Sequence, residues 1–472
     1  MRVAKTAAVS CRAMGFLAAL VLTPASAQDG VMAGMADMPG MAPPKPAATH
    51  PETSRRAPAP AARAPAASAP ALDGEMSTMD MTHKMSGALA TSEPMTREAS
   101  GTSWQPDASV HTGLMVSNGG WMFMGHALLN GVYDWQQGPR GATKGFASGM
   151  LMGMAKRNFE NGDGLQFRVM LSPEPAMGAG GYPLLLASGE TADGHTPLID
   201  RQHPHNLAME LSTTYSHRIN EADSVFVYGG LPGEPAFGPP AFMHRLSIMD
   251  SPEAPISHHW LDSMHITNGV VTAGWVHADW KAEVSQFQGR EPDQDRTAIE
   301  PGRLDSTAAR LSWNPDRTWA LQASWAYQVS PEQLAPQQDE RRVSASAIYT
   351  IPVGNAGWWS TTAAWGRRQS TGRPGLDAFV LESAIMPSDP WTVFARYENT
   401  RTDELTLGLP EGPIRDVAKF SLGAIHDWRM DPHAKLGLGA LYAFNFVPHT
   451  LAQSYGSADP QGTMIFLRLK ID

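Results

Sequence analysis

The chain has almost no thiol chemistry and no long apolar run. Cys11 is the only cysteine among 472 residues. It stands in a stretch that reads as a secretory leader: basic Arg2, Lys5 and Arg12, an apolar run over 13–22, and the small residues Ala25 and Ala27 flanking Ser26. Cleavage is expected after Ala27 (segment 1–27), which leaves an exported chain without cysteine. Disulfides and cysteine metal centres are thereby excluded, and a thiol-free chain suits an oxidising compartment. No later segment supplies the 18 or more apolar residues of a membrane-spanning helix. The formal charge is −10, so there is no basic face for nucleic acid and none is expected as a partner.

What is present is alternation. In 318–329, Trp319, Leu321, Ala323, Trp325 and Tyr327 share one parity, and Ala320, Gln322, Ser324, Ala326 and Gln328 share the other. That is a period-2 strand with an apolar face and a small, polar one. Similar units cover 121–134, 145–156, 164–172, 206–217, 224–230, 265–276, 279–288 and 304–313. They continue over 342–351, 357–367, 376–386, 391–399, 416–428, 434–446 and 463–471. Residues 110–117 are a further alternating stretch, readable as an extra strand or a lead-in.

Short and long connections alternate between these strands. The long ones are 173–205, 231–264, 289–303, 330–341, 369–375, 400–415 and 447–462. An even number of antiparallel strands with short turns at one end and long loops at the other is the pattern of a transmembrane β-barrel. The expected fold is therefore all-β, an antiparallel barrel of about sixteen strands (roughly 12–18, given how weakly short strands are marked). Its expected partner is the lipid bilayer of a Gram-negative outer membrane. Arg168, Glu210, Arg310, Arg396 and Glu398 fall on the polar parity, where a wide lumen would receive them.

Residues 28–102 are different: rich in Ala, Pro, Met and Ser, and poor in aromatic and β-branched residues. Such a segment cannot bury enough apolar surface to offset chain entropy. It is expected to be a disordered periplasmic arm ahead of a barrel over 103–472.

The arm carries Met32, Met35, Met38 and Met41 at every third position, then Met76, Met79, Met81, His83 and Met85. Thioethers are soft ligands that favour Cu(I), and an added imidazole lets a site accept Cu(II) as well. A second concentration of ligand-type residues lies in the two longest loops, as His203 and His205 and as His258 and His259. Imidazole binds Cu, Zn, Ni or Fe; the same residues also serve as hydrogen-bonding groups at a pore mouth. The proline-rich 231–265 stretch follows a stiff path that either narrows the barrel mouth or packs outside it.

Segment 76–85, Met-Ser-Thr-Met-Asp-Met-Thr-His-Lys-Met, resembles the methionine-rich arms of copper-resistance protein B. That family comprises outer-membrane barrels found with periplasmic multicopper oxidases. The resemblance implies copper sequestration or efflux support, with such an oxidase as a partner. The 231–265 span resembles a group of uncharacterised outer-membrane proteins. The closing strand is amphipathic, as in Gram-negative outer-membrane proteins, although it ends Ile471-Asp472 where most of that group end in an aromatic residue.

Three functions follow as expectations. The first is a barrel that binds or moves copper, as Cu(I) or Cu(II), without an organic cofactor. The second is a general solute channel. The third is a barrel enzyme acting on lipid or peptide. Serine and histidine occur near each other, for example Ser247 near His244 and Ser257 near His258, but nothing resembles a nucleophile elbow or a zinc-protease helix, so no enzyme is expected.

Overall fold

The computed structural model describes Gly87, Leu89 and residues 94–110 and 113–471. The arm methionines and His83 lie outside the described residues.

The strands are β1 (Leu114–Asn118), β2 (Trp121–Gln136), β3 (Thr143–Asn158), β4 (Gly164–Leu171), β5 (Tyr182–Thr191), β6 (Pro197–Gln202) and β7 (Ala208–Arg218). Next come β8 (Asp223–Gly230), β9 (Val270–His277), β10 (Trp280–Phe287), β11 (Ser306–Trp313), β12 (Trp319–Gln328) and β13 (Glu340–Val353). The last are β14 (Gly357–Ser370), β15 (Leu376–Ser388), β16 (Trp391–Thr402), β17 (Arg415–Asp431), β18 (Ala434–Phe446) and β19 (Gln461–Ile471).

Every pairing in the wall is antiparallel, and β19 closes onto β2 to give a 16-strand barrel. The pair β5–β6 forms a separate two-stranded sheet. All sixteen expected strands are present. The lead-in is a strand too. β19 ends with Ile471 opposite Ala127, and β1 takes up the β2 edge beyond it, with Leu114 opposite Gly125 and Asn118 opposite Trp121.

Alternation sorts the side chains as lipid requires. On β19, Ile465, Leu467 and Leu469 are exposed, while Met464, Phe466 and Arg468 are buried. Aromatic side chains ring the short-turn end, where Trp280 stacks on Trp313 at 4.9 Å and Trp319 packs on Tyr349 at 4.6 Å. Such girdles mark the membrane–water interface of outer-membrane barrels. Charged residues are turned inward, because Arg or Lys on the lipid face costs about 2–4 kcal/mol near the midplane.

The interior is packed with chain. The segment after β8 begins and ends at one neck, where Gly233 and Thr267 exchange two backbone hydrogen bonds of 2.9 Å. Between these residues it crosses the lumen. Gly238 N–H donates to Ser324 on β12, Ser247 meets Thr362 on β14, Ser257 donates to Glu398 on β16, and Arg468 on β19 pairs with Asp250. Of the two paths open to the 231–265 stretch, the structure takes the inner one.

A second element enters from the short-turn end. Residues 94–102, assigned to the arm by composition, run with 103–109 inside the barrel. Arg168 donates to the carbonyls of Ala99 and Gly101, and Asn314 donates to the Gln105 carbonyl. Ala108 N–H bonds the Arg317 carbonyl in a short turn. The two elements touch where Ala241 N–H donates to Ser100 Oγ, 2.8 Å away.

Glu234 is sealed at this junction. Burial, partly opposed by Arg310 and Ser100, pushes its carboxyl up to about 8. An ordinary glutamate loses its proton near 4.5, so between these values the folded chain holds a proton that the unfolded chain does not. Stability must then fall as pH rises through that window. Glu234→Gln is expected to remove this slope, so the variant's melting temperature in detergent gains on wild type between about pH 5 and pH 9. A constant difference across that range would contradict a protonated Glu234.

Candidate functional site

The two histidine loops meet inside the barrel on the long-loop side. His203-Pro204-His205 leaves β6 in extended form, because the residue before a proline is held there. Alternate residues of an extended run face the same way, so both imidazoles point to the second loop. That loop presents His258 and His259 on the short helix His258–Leu261, with His265 just after it.

Five rings thus converge, all buried. Ring centres lie 5.1 Å apart for His205 and His265, 5.2 Å for His258 and His265, and 6.5 Å for His205 and His258. His259 stands 5.6 Å from His258 and 5.8 Å from His203. The sequence marked four of these residues; His265 completes the group.

Carboxylates surround the cluster. Asp262 Oδ1 lies 2.7 Å from His258 Nδ1, and the Asp262 carbonyl lies 2.6 Å from His265 Nδ1. Glu174 accepts the His205 N–H at 2.9 Å, and Glu190 lies 3.3 Å from His203 Nε2. Arg245 holds Asp262 from the other side at 2.6 Å. Burial alone would raise Asp262, but Arg245 and His258 more than offset it and hold the carboxyl below its ordinary range. Burial first, and then the neighbouring imidazoles, pushes His203 down to about 3 and holds His259 and His265 well below the ordinary histidine value. Neutral imidazole is the form that binds metal.

His259 also reaches outward. With Glu291 and Glu332 from two long loops it forms a group whose ligand atoms lie within 4.8 Å of one another. Burial pushes the Glu291 carboxyl up to about 7. Gly189 (φ +105°) lets the β5–β6 hairpin pass this ring, since a Cβ there would stand 2.6 Å from His259 Cε1.

Imidazole and carboxylate are metal-ligand types. Metal–nitrogen bonds near 2.0–2.1 Å place the centres of two imidazoles sharing one tetrahedral ion about 5 Å apart. The His205–His265 and His258–His265 separations, 5.1 and 5.2 Å, are close to that figure, and the His205–His258 separation of 6.5 Å exceeds it. Asp262 ties the Nδ1 side of His258 and His265, as carboxylates and carbonyls do behind metal-bound histidines. The Nε2 atoms of His205, His259 and His265 are buried without a hydrogen-bond partner, although buried polar atoms are normally satisfied.

The serines do not make a catalytic pair with histidine. Ser247 Oγ bonds Thr362 and Glu382, and Ser257 Oγ bonds Glu398.

No family model and no curated protein matches this chain. Solved structures do resemble it in fold. The chain is similar to Salmonella typhi OmpF in complex with daunomycin, at 10% identity, covering 76% of this chain and 100% of that one, with a TM-score of 0.47. It is also similar to the anion-selective porin of Comamonas acidovorans (10% identity, 74% and 100% covered, TM-score 0.43). A third likeness is to a loop-deleted form of OmpT, an outer-membrane protein of Vibrio cholerae (8%, 74% and 99%, TM-score 0.43). The chain itself is a closed 16-strand antiparallel β-barrel.

Sequence reasoning missed Glu174, Glu190, Asp262, Glu291 and Glu332. Asp262, four residues after His258, had a local signal; Glu174 and Glu190 lie on the same long connection as His203 and His205 but 13 or more residues away, and Glu291 and Glu332 come from other loops.

Proposed function

We propose that this barrel binds a copper-class transition-metal ion within its filled lumen, at the centre formed by His205, His258 and His265, with His203 and His259 beside it. The observation that carries the reading is the spacing of His205 and His258 from His265, together with the unpartnered Nε2 atoms of His205 and His265. When bound, the ion would supply a charge that moves or is retained. The chain's own part is to bring the imidazoles together, to fix the orientation of His258 and His265 through Asp262, and to limit water. The periplasmic arm, with its thioethers at 32–41 and 76–85, would gather Cu(I) for this centre, and a multicopper oxidase is the partner such an arm would serve.

Full-length chain in detergent is expected to retain Cu(II) or Zn(II) through dialysis. The double variant His258→Ala, His265→Ala should bind it at least about 10–100-fold more weakly, by competition with a chelator. Equal retention by wild type and variant would overturn the metal reading.

A general solute channel is the second reading. It rests on the strand number, since barrels of about sixteen strands enclose an aqueous bore when nothing fills them. Under that reading the purified wild type conducts ions in a planar bilayer, and the histidine variant conducts equally well.

A further inference from the structure

The barrel holds a second group of soft ligands, remote from the arm and apart from the histidines. On the inner wall, β2 carries Met122 and Met124, and β3 carries Met150, Met152 and Met154. Met170 on β4 and Met209 on β7 extend the patch. The registers align these residues across the strands. Met124 faces Met154, His126 faces Met152, Met152 faces Met170, and Met170 faces Glu210. Met95, from the segment that enters at the short-turn end, packs on Met122, Met124 and Met154.

These thioethers border an open space. A cavity of about 90 Å³ is lined by Met95, Met124, Met150, Met152 and Met154, together with His126. A cavity needs only about 10–15 Å³ to take one water. Residues meant only to pack would close such a gap, and leucine or isoleucine would fill it with better-defined side chains than methionine. Four cations stand on its border, and each is already engaged: Arg168 donates to two main-chain carbonyls, Arg468 pairs with Asp250 and Asp427, Lys435 pairs with Asp389, and Lys470 is partnered as well. The space therefore offers an anion little, and it offers a soft cation several neutral sulfur donors with an imidazole.

We propose that this cavity is a thioether site for a soft monovalent cation, Cu(I) or its analogue Ag(I), held by Met124, Met152 and Met154 with Met95 and His126 in reach. The inference builds on the copper reading and names the oxidation state that the lumen admits. Thioether sulfur selects Cu(I) over hard divalent ions. The site also adjoins the histidine centre. Met150, Met170 and Met209 pack with Met243 and with Ile266, the neighbour of His265. Phe242, next to Met243, lies against the rings of His205 and His258. An ion leaving the methionines would meet the imidazoles next.

The test compares full-length wild type with Met124→Leu/Met152→Leu/Met154→Leu, the arm being intact in both. Leucine nearly conserves volume, so the fold should survive, and β-type circular dichroism checks this. Ag(I) bound per chain after gel filtration is expected to fall by one equivalent in the variant, while Zn(II) retention stays unchanged. In ¹³C-methyl-methionine spectra of wild type, the signals assigned to Met124, Met152 and Met154 should move with Ag(I), in addition to any arm signals that wild type and variant share. Equal Ag(I) loading with no methyl shift at these residues would overturn the proposal. Should the variant misfold, the wild-type spectrum still decides through single Met→Leu assignments. Loss of Zn(II) binding in wild type with the Ag(I) difference intact would instead remove the histidine reading and leave this one standing.

Discussion

Excising residues 235–265, joining the flanks with a short turn, and also removing the chain ahead of residue 110, which holds the second lumen element, is expected to raise single-channel conductance in a planar bilayer several-fold, because about sixteen strands can enclose a water-filled bore. The neck makes the excision clean. Gly233 and Thr267 already pair, so β8 and β9 need not move to be reconnected. The wall is closed by its own ladders and does not depend on the insert for its backbone hydrogen bonds. Removal uncovers Arg396, Glu398, Lys419 and Glu382 on the inner face. Water then solvates these groups in place of the insert, so the barrel should still form. Liposome swelling with small sugars gives an independent readout. A shortened chain that inserts, shows β-type circular dichroism and conducts no better than wild type would contradict a lumen-filling segment.

Arg245→Met is expected to destabilise the folded chain by about 3–5 kcal/mol, since removing one partner of a buried ion pair strands the others. Arg245 is 1% exposed, and it contacts Glu382 through Nε and Nη2, each at 2.7 Å, and Asp262 through Nη1 at 2.6 Å. Adding Glu382→Gln should return part of the loss, because one stranded carboxylate is then gone. The sum of the single effects should exceed the double. Thermal unfolding in detergent measures this, and protease sensitivity of 234–266 locates it. The pH dependence follows from Asp262. Its depressed carboxyl contributes stability above the ordinary carboxylate range, and that stability is lost as pH falls through the lower folded value. Without Arg245 the carboxyl rises, so docking of the insert should fail at a higher pH than in wild type. Because Asp262 also orients His258, metal affinity should drop about 10–100-fold in the same variant. A variant as stable and as metal-competent as wild type would separate the histidine centre from its support.

The wall was legible in the sequence because lipid imposes a rule on every second residue. Ile465, Leu467 and Leu469 against Met464, Phe466 and Arg468 reveal β19 without any tertiary information. The filling was legible only in part: the prolines of 231–265 marked a stiff path, inward or outward, but not its contacts. Nothing local in 231–265 says that Arg245 will find Glu382, 137 residues away. The histidines were visible as types, but their convergence depended on two loops turning inward. The inner-wall methionines carried a signal that went unread: Met122-x-Met124 and Met150-x-Met152-x-Met154 have the strand period, which places each set on a single face. Residues 94–102 read as arm because their composition does. What orders them is the wall around them, through Arg168 and other inward-facing groups.

The short strand β1 ties two of these parts together. Residues 94–109 sit inside the cylinder, and Leu114–Asn118 lies in its wall as the stave that completes the β2 edge beyond β19. Tension applied to residue 94 along the chain would therefore load the inner stopper and the barrel's lengthwise joint in series, so withdrawing the stopper would also strain the last stave from its neighbour.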